Sequence, residues 1–304
     1  MKPIHVKSIS EFHRLHQLPA PEHSLISVVD YAKVAAAKQH VGSHAMVSDY
    51  YSISVKRGLE GKMRYGQQEY DFDEGVMYFM APGQVLQPSP FITGATQPSG
   101  WILLIHPDFL WGSHLAKSIK QYAFFDYSVN EALFLSEKEE MTINAIVQNI
   151  KQEYQGNIDK FSHSIIISQI DALFNYAERF YQRQFLTRKI TNHKVLDRLE
   201  DLLSKYFSSD TVISKGLPTV QYLADNLNIS PSYLTSLLKS LTGQSAQQHI
   251  HNKVIEAAKE KLSTTDLSVS EIAYELGFGH AQSFSKLFKT KTSISPLEFR
   301  RSFN

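Results

Sequence analysis

The sequence predicts an α+β protein with a β-rich N-terminal domain, a following pair of helices and an all-helical C-terminal domain. Short β-branched and aromatic runs fill the first 110 residues, and Gly, Pro or Asp separates them. Further on, apolar residues recur at helical spacing, and two similar helix-turn-helix patterns end the chain. We therefore assign a β-domain to residues 1–135, a helical pair to 136–186, a linker to 187–191 and a C-terminal domain to 192–304.

The composition is that of an ordinary globular protein. Hydrophobic residues make up 42% and charged residues 20%, and the formal net charge is +1, so no overall basic field indicates nucleic-acid binding. The absence of cysteine excludes disulfides, thiolate metal sites and cysteine nucleophiles. Neither a signal peptide nor an apolar run of about 18 residues is evident, so we expect a cytoplasmic protein without a membrane partner.

The N-terminal domain is predicted to contain six short strands. Many short strands at close spacing favour a small barrel or a double-sheet roll. Turn signals separate the strands, for example Asp73–Gly75 and the dipeptide Pro82-Gly83. The predicted strands are Leu25–Val29, Tyr50–Lys56, Lys62–Tyr65, Glu69–Phe72, Val76–Ala81 and Trp101–Ile105.

Aromatic side chains are concentrated in these strands. Strand alternation turns some of them inward, where they either line an apolar pocket with a few phenolic hydroxyls or simply fill the interior. The sequence leaves both alternatives open and identifies no ligand-contacting residue. The aromatic residues are Tyr50, Tyr51, Tyr65, Tyr70, Phe72, Tyr78 and Phe79.

Two long amphipathic helices are predicted after the strands. Ser136 and Glu139 form a capping-box sequence, and the apolar residues that follow recur at helical spacing as far as Gly156. A second helix is expected from Phe161 to Phe185, and its apolar residues cover more surface than one edge of a small barrel needs. The polar, basic segment from Tyr181 to Lys189 is interpreted as the linker.

The segment Ser268–Arg300 predicts a helix-turn-helix. Ser268 and Glu271 form a capping box, an apolar stripe of Ile272, Ala273 and Leu276 follows, and Gly277 ends the first helix. The second helix turns Phe284, Leu287 and Phe288 inward and keeps a polar outer face. Two short helices joined by a glycine-bearing turn form a shape that fits a DNA major groove.

The same pattern occurs once more, 49 to 50 residues earlier. Thr219 is placed as an N-cap, Asn228-Ile229 forms the turn, Ser230 caps the next helix, and Pro231 occupies its first position. A first helix of about Asn192–Phe207 and a loop of Ser208–Pro218 precede this motif. A connecting helix of about Ser245–Leu262 joins the two motifs and fixes their separation.

These segments resemble the AraC/XylS family of bacterial transcription regulators. The resemblance lies in EIAYELGF, in SFSKLFK and in the closing SPLEFR, and with both motifs it covers residues 192–302. It implies a sequence-specific DNA-binding regulator, an activator that responds to a small-molecule effector and contacts RNA polymerase. The strand order loosely resembles the cupin-like sensor domain of such regulators. The helical pair would then form the seam of a homodimer, with Ile170 and Leu173 at its contact, unless both helices pack on their own barrel.

The residues predicted to touch DNA lie on the outer, N-terminal faces of the two recognition helices. Gln suits the adenine edge, Lys suits guanine or phosphate, and Ser and Thr are adaptable donors. The recognition helix of the first motif has no cationic residue before Lys239. We therefore expect this helix to position the domain more than to read bases. The predicted residues are Ser232, Thr235, Ser236, Lys239, Lys253, His280, Ala281, Gln282, Ser285 and Lys286.

Enzymatic function is not predicted, and neither a cofactor nor a metal is expected. Cupin metal sites begin with an HxH pair, but the matching residues here are His44, Ala45 and Met46, and the only nearby acid is Asp49. His40 and His44 could form a pair on a loop. Two alternatives remain, namely a ligand-independent regulator whose barrel binds a protein partner, and a metal-free cupin enzyme fused to a DNA-binding domain.

Overall fold

The computed structural model describes residues 3–41, 45–57, 63–65, 68–70, 75–86, 98–127, 131–156, 158–187, 189–209 and 211–302. The chain divides into two compact units, Met1–Gln184 and Phe185–Asn304. The long helix Ser162–Thr187 runs from one into the other.

The N-terminal unit combines short strands with helices. Its strands are β1 Ile4–Val6, β2 Ile26–Asp30, β3 Met46–Ser48, β4 Tyr51–Arg57, β5 Met63–Tyr65, β6 Gln68–Tyr70, β7 Val76–Met80, β8 Val85–Leu86, β9 Ser99–Ile105 and β10 Leu133–Phe134. Its helices are α1 Ile9–Leu15, α2 Tyr31–Val41, α3 Leu115–Ser118, α4 Glu137–Gln155 and α5 Ser162–Thr187, with short 3-10 turns between Pro107 and Asp126.

A five-stranded antiparallel sheet in the order β10-β7-β4-β9-β2 forms the centre of this unit. One face packs against α1 and α2 through a core that includes Phe12, Tyr31 and Ile102. On the other face, Phe79 packs against Phe124. Helices α4 and α5 complete that side of the unit.

A closed barrel is not confirmed. Among the described residues the strands form separate sheets of five, three and two strands. All six predicted strands are present with ends within two residues of the prediction. The prediction missed the helices α1 and α2 and the strands β1, β3, β8 and β10. These four strands have only two or three residues each and therefore show no alternating pattern.

Helix α5 is fastened to the outer edge of β10. The buried amide of Gln184 accepts a hydrogen bond from Phe134 N at 2.9 Å and donates one to Ala132 O at 3.2 Å. Arg183 donates to Phe134 O at 2.7 Å and to the Glu139 carboxylate at 2.6 Å. These side chains pair an edge that would otherwise expose unsatisfied backbone groups.

This attachment changes two expectations. The segment from Tyr181 is helical as far as Thr187, so its first half is part of α5 and not an irregular linker. Ile170 and Leu173, the expected centre of the dimer seam, are both 0% exposed inside the N-terminal unit. Their burial favours the alternative in which α4 and α5 pack on their own domain.

The C-terminal unit is helical in the described residues. Its helices are α6 Lys189–Phe207, α7 Thr211–Lys215, α8 Val220–Leu227, α9 Pro231–Thr242, α10 Ala246–Thr264, α11 Val269–Glu275, α12 Ala281–Thr292 and α13 Pro296–Arg301. The short helix α7 lies in the segment that was predicted to be a loop. Two separate apolar cores are built on α10, since Ala246 and Ile250 belong to the first and Val254, Ala258 and Leu262 to the second.

Candidate nucleic-acid interface

The two motifs, α8–α9 and α11–α12, have the same local construction. The Thr219 hydroxyl accepts from Tyr222 N at 3.1 Å at the start of α8, and Ser268 makes a complete capping box with Glu271 at the start of α11. Each turn then begins with a residue in the left-handed region, Asn228 with φ 57° and Gly277 with φ 82°. These two residues are 49 positions apart, so the turns are equivalent.

The inserted residue of the second motif is Gly279. In the first motif Ser230 follows the turn directly and caps α9 by accepting from Tyr233 N at 3.2 Å. In the second motif His280 occupies the N-cap of α12 and makes no side-chain cap hydrogen bond. The first amides of α12 therefore receive no hydrogen bond from the His280 side chain.

The repeat extends beyond the recognition helices, which sequence reasoning missed. Gly243 and Ser293 both end their helices in the left-handed region, with φ 74° and 68°. Ser245 and Ser295 then form capping boxes at the starts of α10 and α13. The sequence signal was the pair S-x-x-Q and S-x-x-E, 50 residues apart.

Each recognition helix buries one stripe and exposes another. In α12, Phe284 and Phe288 are fully buried, while Gln282 and Lys286 lie one turn apart on the exposed side. Among the described residues, neither of these two side chains has a hydrogen-bond or ion-pair partner. Both are therefore available to a ligand on this face.

The outer face of α9 carries shorter side chains than the outer face of α12. Ser232 and Ser236 occupy the positions equivalent to Gln282 and Lys286, and both serines are half-buried. Thr235 is likewise half-buried, and Lys239 one turn further on is exposed. The two helices are thus alike in backbone but unlike in the side chains they present.

Residues 223–302 match a family model described as a helix-turn-helix domain. The C-terminal unit is an AraC/XylS-type DNA-binding domain. The HTH-type transcriptional regulator YfiF of Bacillus subtilis (strain 168) is 31% identical over 144 residues, 47% of this chain and 42% of that protein. The HTH-type transcriptional activator RhaS of Enterobacter sp. (strain 638) is 27% identical over 161 residues, 53% and 55% of the respective chains.

A solved structure is also similar to part of this chain. It is the C-terminal domain of AraT, a response regulator from Geobacillus stearothermophilus, with 30% identity, a TM-score of 0.32, and coverage of 36% of this chain and 84% of that chain. The chain spans 42% and 55% of the lengths of YfiF and RhaS.

Three further predicted contact residues, Lys253, Ala281 and Ser285, are less accessible than Gln282 and Lys286. Lys253 on α10 lies 3.5 Å from the carboxylate of Glu256, three residues further along the helix. Ala281 and Ser285 are half-buried in α12, and His280 is exposed at its N-cap. Lys253 would have to leave Glu256, an exposed pairing that contributes little, to reach a phosphate.

A polar chain that the sequence did not reveal ties α12 to α10. Lys291 Nζ donates to Asn252 Oδ1 at 3.0 Å, and Asn252 Nδ2 donates to Gln244 Oε1 at 2.7 Å. The neighbouring His251 has a pKa lowered by burial and by the charge of Lys291. It is therefore neutral at physiological pH, and Lys291 supplies the positive charge at this point.

The closing SPLEFR segment of the AraC-type domain supports the fold. Pro296 is buried, and the Phe299 ring packs on Phe288 with centroids 5.5 Å apart. Arg300 donates to Leu267 O at 2.5 Å and to Leu262 O at 3.3 Å, which holds the loop between α10 and α11. This part of the sequence therefore holds the second helix-turn-helix motif in place.

Neither a membrane span nor a metal cluster is found within the described ranges. None of the described helices is long and apolar enough to cross a membrane. No group of three or more His, Asp or Glu side chains there is arranged to hold a metal ion. His44 lies outside the described residues, and so does the side chain of His40.

Proposed function

We propose that the protein is a sequence-specific DNA-binding transcription regulator of the cytoplasm, an activator whose N-terminal unit responds to a small-molecule effector. The observation that carries the proposal is the pair of equivalent helix-turn-helix motifs built on one helix, α10. A two-headed arrangement of this kind presents two helices to successive major grooves. The name of RhaS, a transcriptional activator, supports activation.

The two helix-turn-helix motifs have different roles in this proposal. Gln282 and Lys286 have the length and the donors to reach base edges, with Gln suited to adenine and Lys to guanine or phosphate. Ser232, Ser236 and Lys239 of α9 would mainly contact the backbone and set the register. The backbone N–H groups at the capped starts of the helices can also bind DNA phosphates. A chain that is nearly neutral overall can therefore bind DNA with few formal positive charges.

We also propose a homodimer that contacts RNA polymerase. The buried residues Ile170 and Leu173 cannot form the dimer seam, but Phe161, just before α5, and Ile165, in its first turn, are 55% and 42% exposed. We place the dimer seam on this exposed side of α5. Sedimentation of the intact chain tests the oligomeric state directly.

Selection of bound sequences from random duplexes by the intact chain tests the proposed function. We expect a bipartite site with two conserved patches separated by about one helical turn. A genome-wide footprint should then recover the same site upstream of a limited set of genes. Uniform, sequence-independent binding that disappears at moderate salt would contradict the proposal, because it would show phosphate contact alone.

A further inference from the structure

Buried hydroxyl groups lie on the face of the five-stranded sheet that packs against α2. Tyr31 is 2% exposed and Ser54 is 4% exposed, while Tyr78 is half-buried. Within the described part of the chain, none of these three hydroxyls has a hydrogen-bond partner. Buried polar groups nearly always have one, and leaving one unpaired costs about 1–3 kcal/mol. Three together on one face call for an explanation.

The three hydroxyl-bearing residues are neighbours. Ser54 on β4 lies directly opposite Tyr78 on β7 in the strand register. Lys56 follows two residues later on the same face, and its ammonium lies 5.2 Å from the ring centroid of Tyr31 and 5.0 Å from that of Tyr78. Ile102, opposite Ser54 on β9, adds a buried apolar side chain. We call Tyr31, Ser54, Lys56 and Tyr78 the hydroxyl cluster.

The hydroxyl cluster is equipped with donors. Burial raises the pKa of the Tyr31 hydroxyl. Burial first, and then the nearby Tyr31, raise the pKa of Tyr78 far above its ordinary value. Both phenols therefore keep their protons at neutral pH, and the Ser54 hydroxyl is a third donor. Three O–H donors beside an ammonium match oxygen atoms that carry negative charge.

We propose that the hydroxyl cluster binds the carboxylate of a small organic acid. The hydroxyls of Tyr31, Ser54 and Tyr78 donate to the carboxylate oxygens, Lys56 contributes positive charge, and the apolar body of the acid contacts Ile102. This inference rests on the effector-responsive part of the proposed function, and it names the site and the class of effector.

The first test is the stability of the chain without ligand. Tyr78→Phe and Ser54→Ala remove hydroxyls that have no described partner, so we expect an unchanged or higher melting temperature. Tyr154→Phe is the matched control, because the Tyr154 hydroxyl accepts from Val28 N at 2.9 Å and its removal should lower the melting temperature. A loss for Tyr78→Phe and Ser54→Ala as large as for Tyr154→Phe would overturn the proposal.

The second test is binding by the intact chain. Hexanoate, decanoate and benzoate are used as probes beside their primary amides, with melting temperature and calorimetry as readouts. At least one carboxylate should raise the melting temperature while its amide does not. Affinity should fall at least tenfold in Tyr78→Phe and in Lys56→Met, but stay unchanged in Lys33→Met, which alters an exposed lysine of α2.

Three results would overturn the proposal. These are the absence of a shift with every probe, equal shifts with acids and amides, and retention of full affinity by Tyr78→Phe. DNA binding of the same preparation, measured without any acid, separates the outcomes. Failure there would contradict the proposed function, whereas intact DNA binding without acid binding would contradict only this inference.

Discussion

At the scale of single residues, Gln282 and Ser232 carry the difference proposed between the two recognition helices. They occupy equivalent positions on α12 and α9, but only Gln282 is exposed and has a side chain long enough for an adenine edge. We expect Gln282→Ala to relax preference at one base pair and to cost roughly 1–3 kcal/mol on the preferred site. Binding-site selection with the intact chain measures this.

Lys239→Ala and Thr235→Ala are the comparison variants for Gln282→Ala. Lys239→Ala should weaken binding to all sequences alike and reduce the salt slope by about one. If instead Thr235→Ala changes the selected bases and Gln282→Ala does not, the two helices have the opposite roles.

Gly277 is constrained twice, by its left-handed φ of 82° and by its surroundings. A Cβ there would lie 2.7 Å from Val212 O and 2.8 Å from Gly216 C, both backbone atoms that cannot move aside cheaply. Gly243 has a φ of 74° but nothing within 4 Å of such a Cβ. We expect Gly243→Ala to cost about 1–2 kcal/mol of the free energy of unfolding, and Gly277→Ala clearly more. Urea unfolding of both variants checks the order, which equal losses would contradict.

At the scale of elements, α5 is predicted to act as a core helix. Ile170→Glu or Leu173→Glu would place a carboxylate at a 0% exposed position, so we expect a loss on the order of 3–5 kcal/mol or failure to fold. Ile165→Glu, at a 42% exposed position, should leave the fold intact. Circular dichroism melts distinguish these outcomes. A well-folded monomer from Ile170→Glu would restore the dimer seam originally expected there.

The capping box of α11 makes this helix sensitive to acid. The pKa of Glu271 is lowered, chiefly because its carboxylate accepts a hydrogen bond from Ser268 N. A carboxylate with a lowered folded-state pKa stabilises the fold above its unfolded pKa, and the contribution is lost as pH falls through the folded value. The AraC-type domain should therefore lose stability as pH falls below the ordinary glutamate range, and Glu271→Gln should lose less over the same range. Urea unfolding at several pH values measures the difference, and parallel curves would contradict it.

The sequence predicted those elements that carry their own local signals. Ser268 with Glu271, Pro231 at a helix start, and Gly277 in its turn each act within a few residues, and all were located correctly. The short strands β1 and β8 and helix α7 depend on distant partners and have no such signal. Of the predicted contact residues, Gln282, Lys286, Lys239 and His280 are exposed. The Lys291–Asn252 bond escaped prediction because its partners are 39 residues apart.

At the scale of the whole molecule, the two units predict a separable DNA-binding fragment. The boundary follows Gln184, and Phe185 is buried in the C-terminal unit against the Tyr233 ring, with centroids 5.1 Å apart. A fragment of residues 185–304 should fold and bind the same site as the intact chain, only more weakly. A fragment of residues 188–304 lacks Phe185 and should melt at a lower temperature. Melting curves and gel shifts of both fragments decide this, and a folded 185–304 fragment without specific binding would contradict it.

In the proposed function, helix α10 also limits how the target promoters can evolve. The two halves of this one continuous helix are built into two different cores, so we expect the distance between the two motifs to be fixed. Each base pair added between the two patches would move one of them by about 3.4 Å and turn it around the duplex axis. We therefore expect exchanges of bases within a patch to change the binding affinity by degrees, whereas insertions and deletions between the patches should abolish most of it.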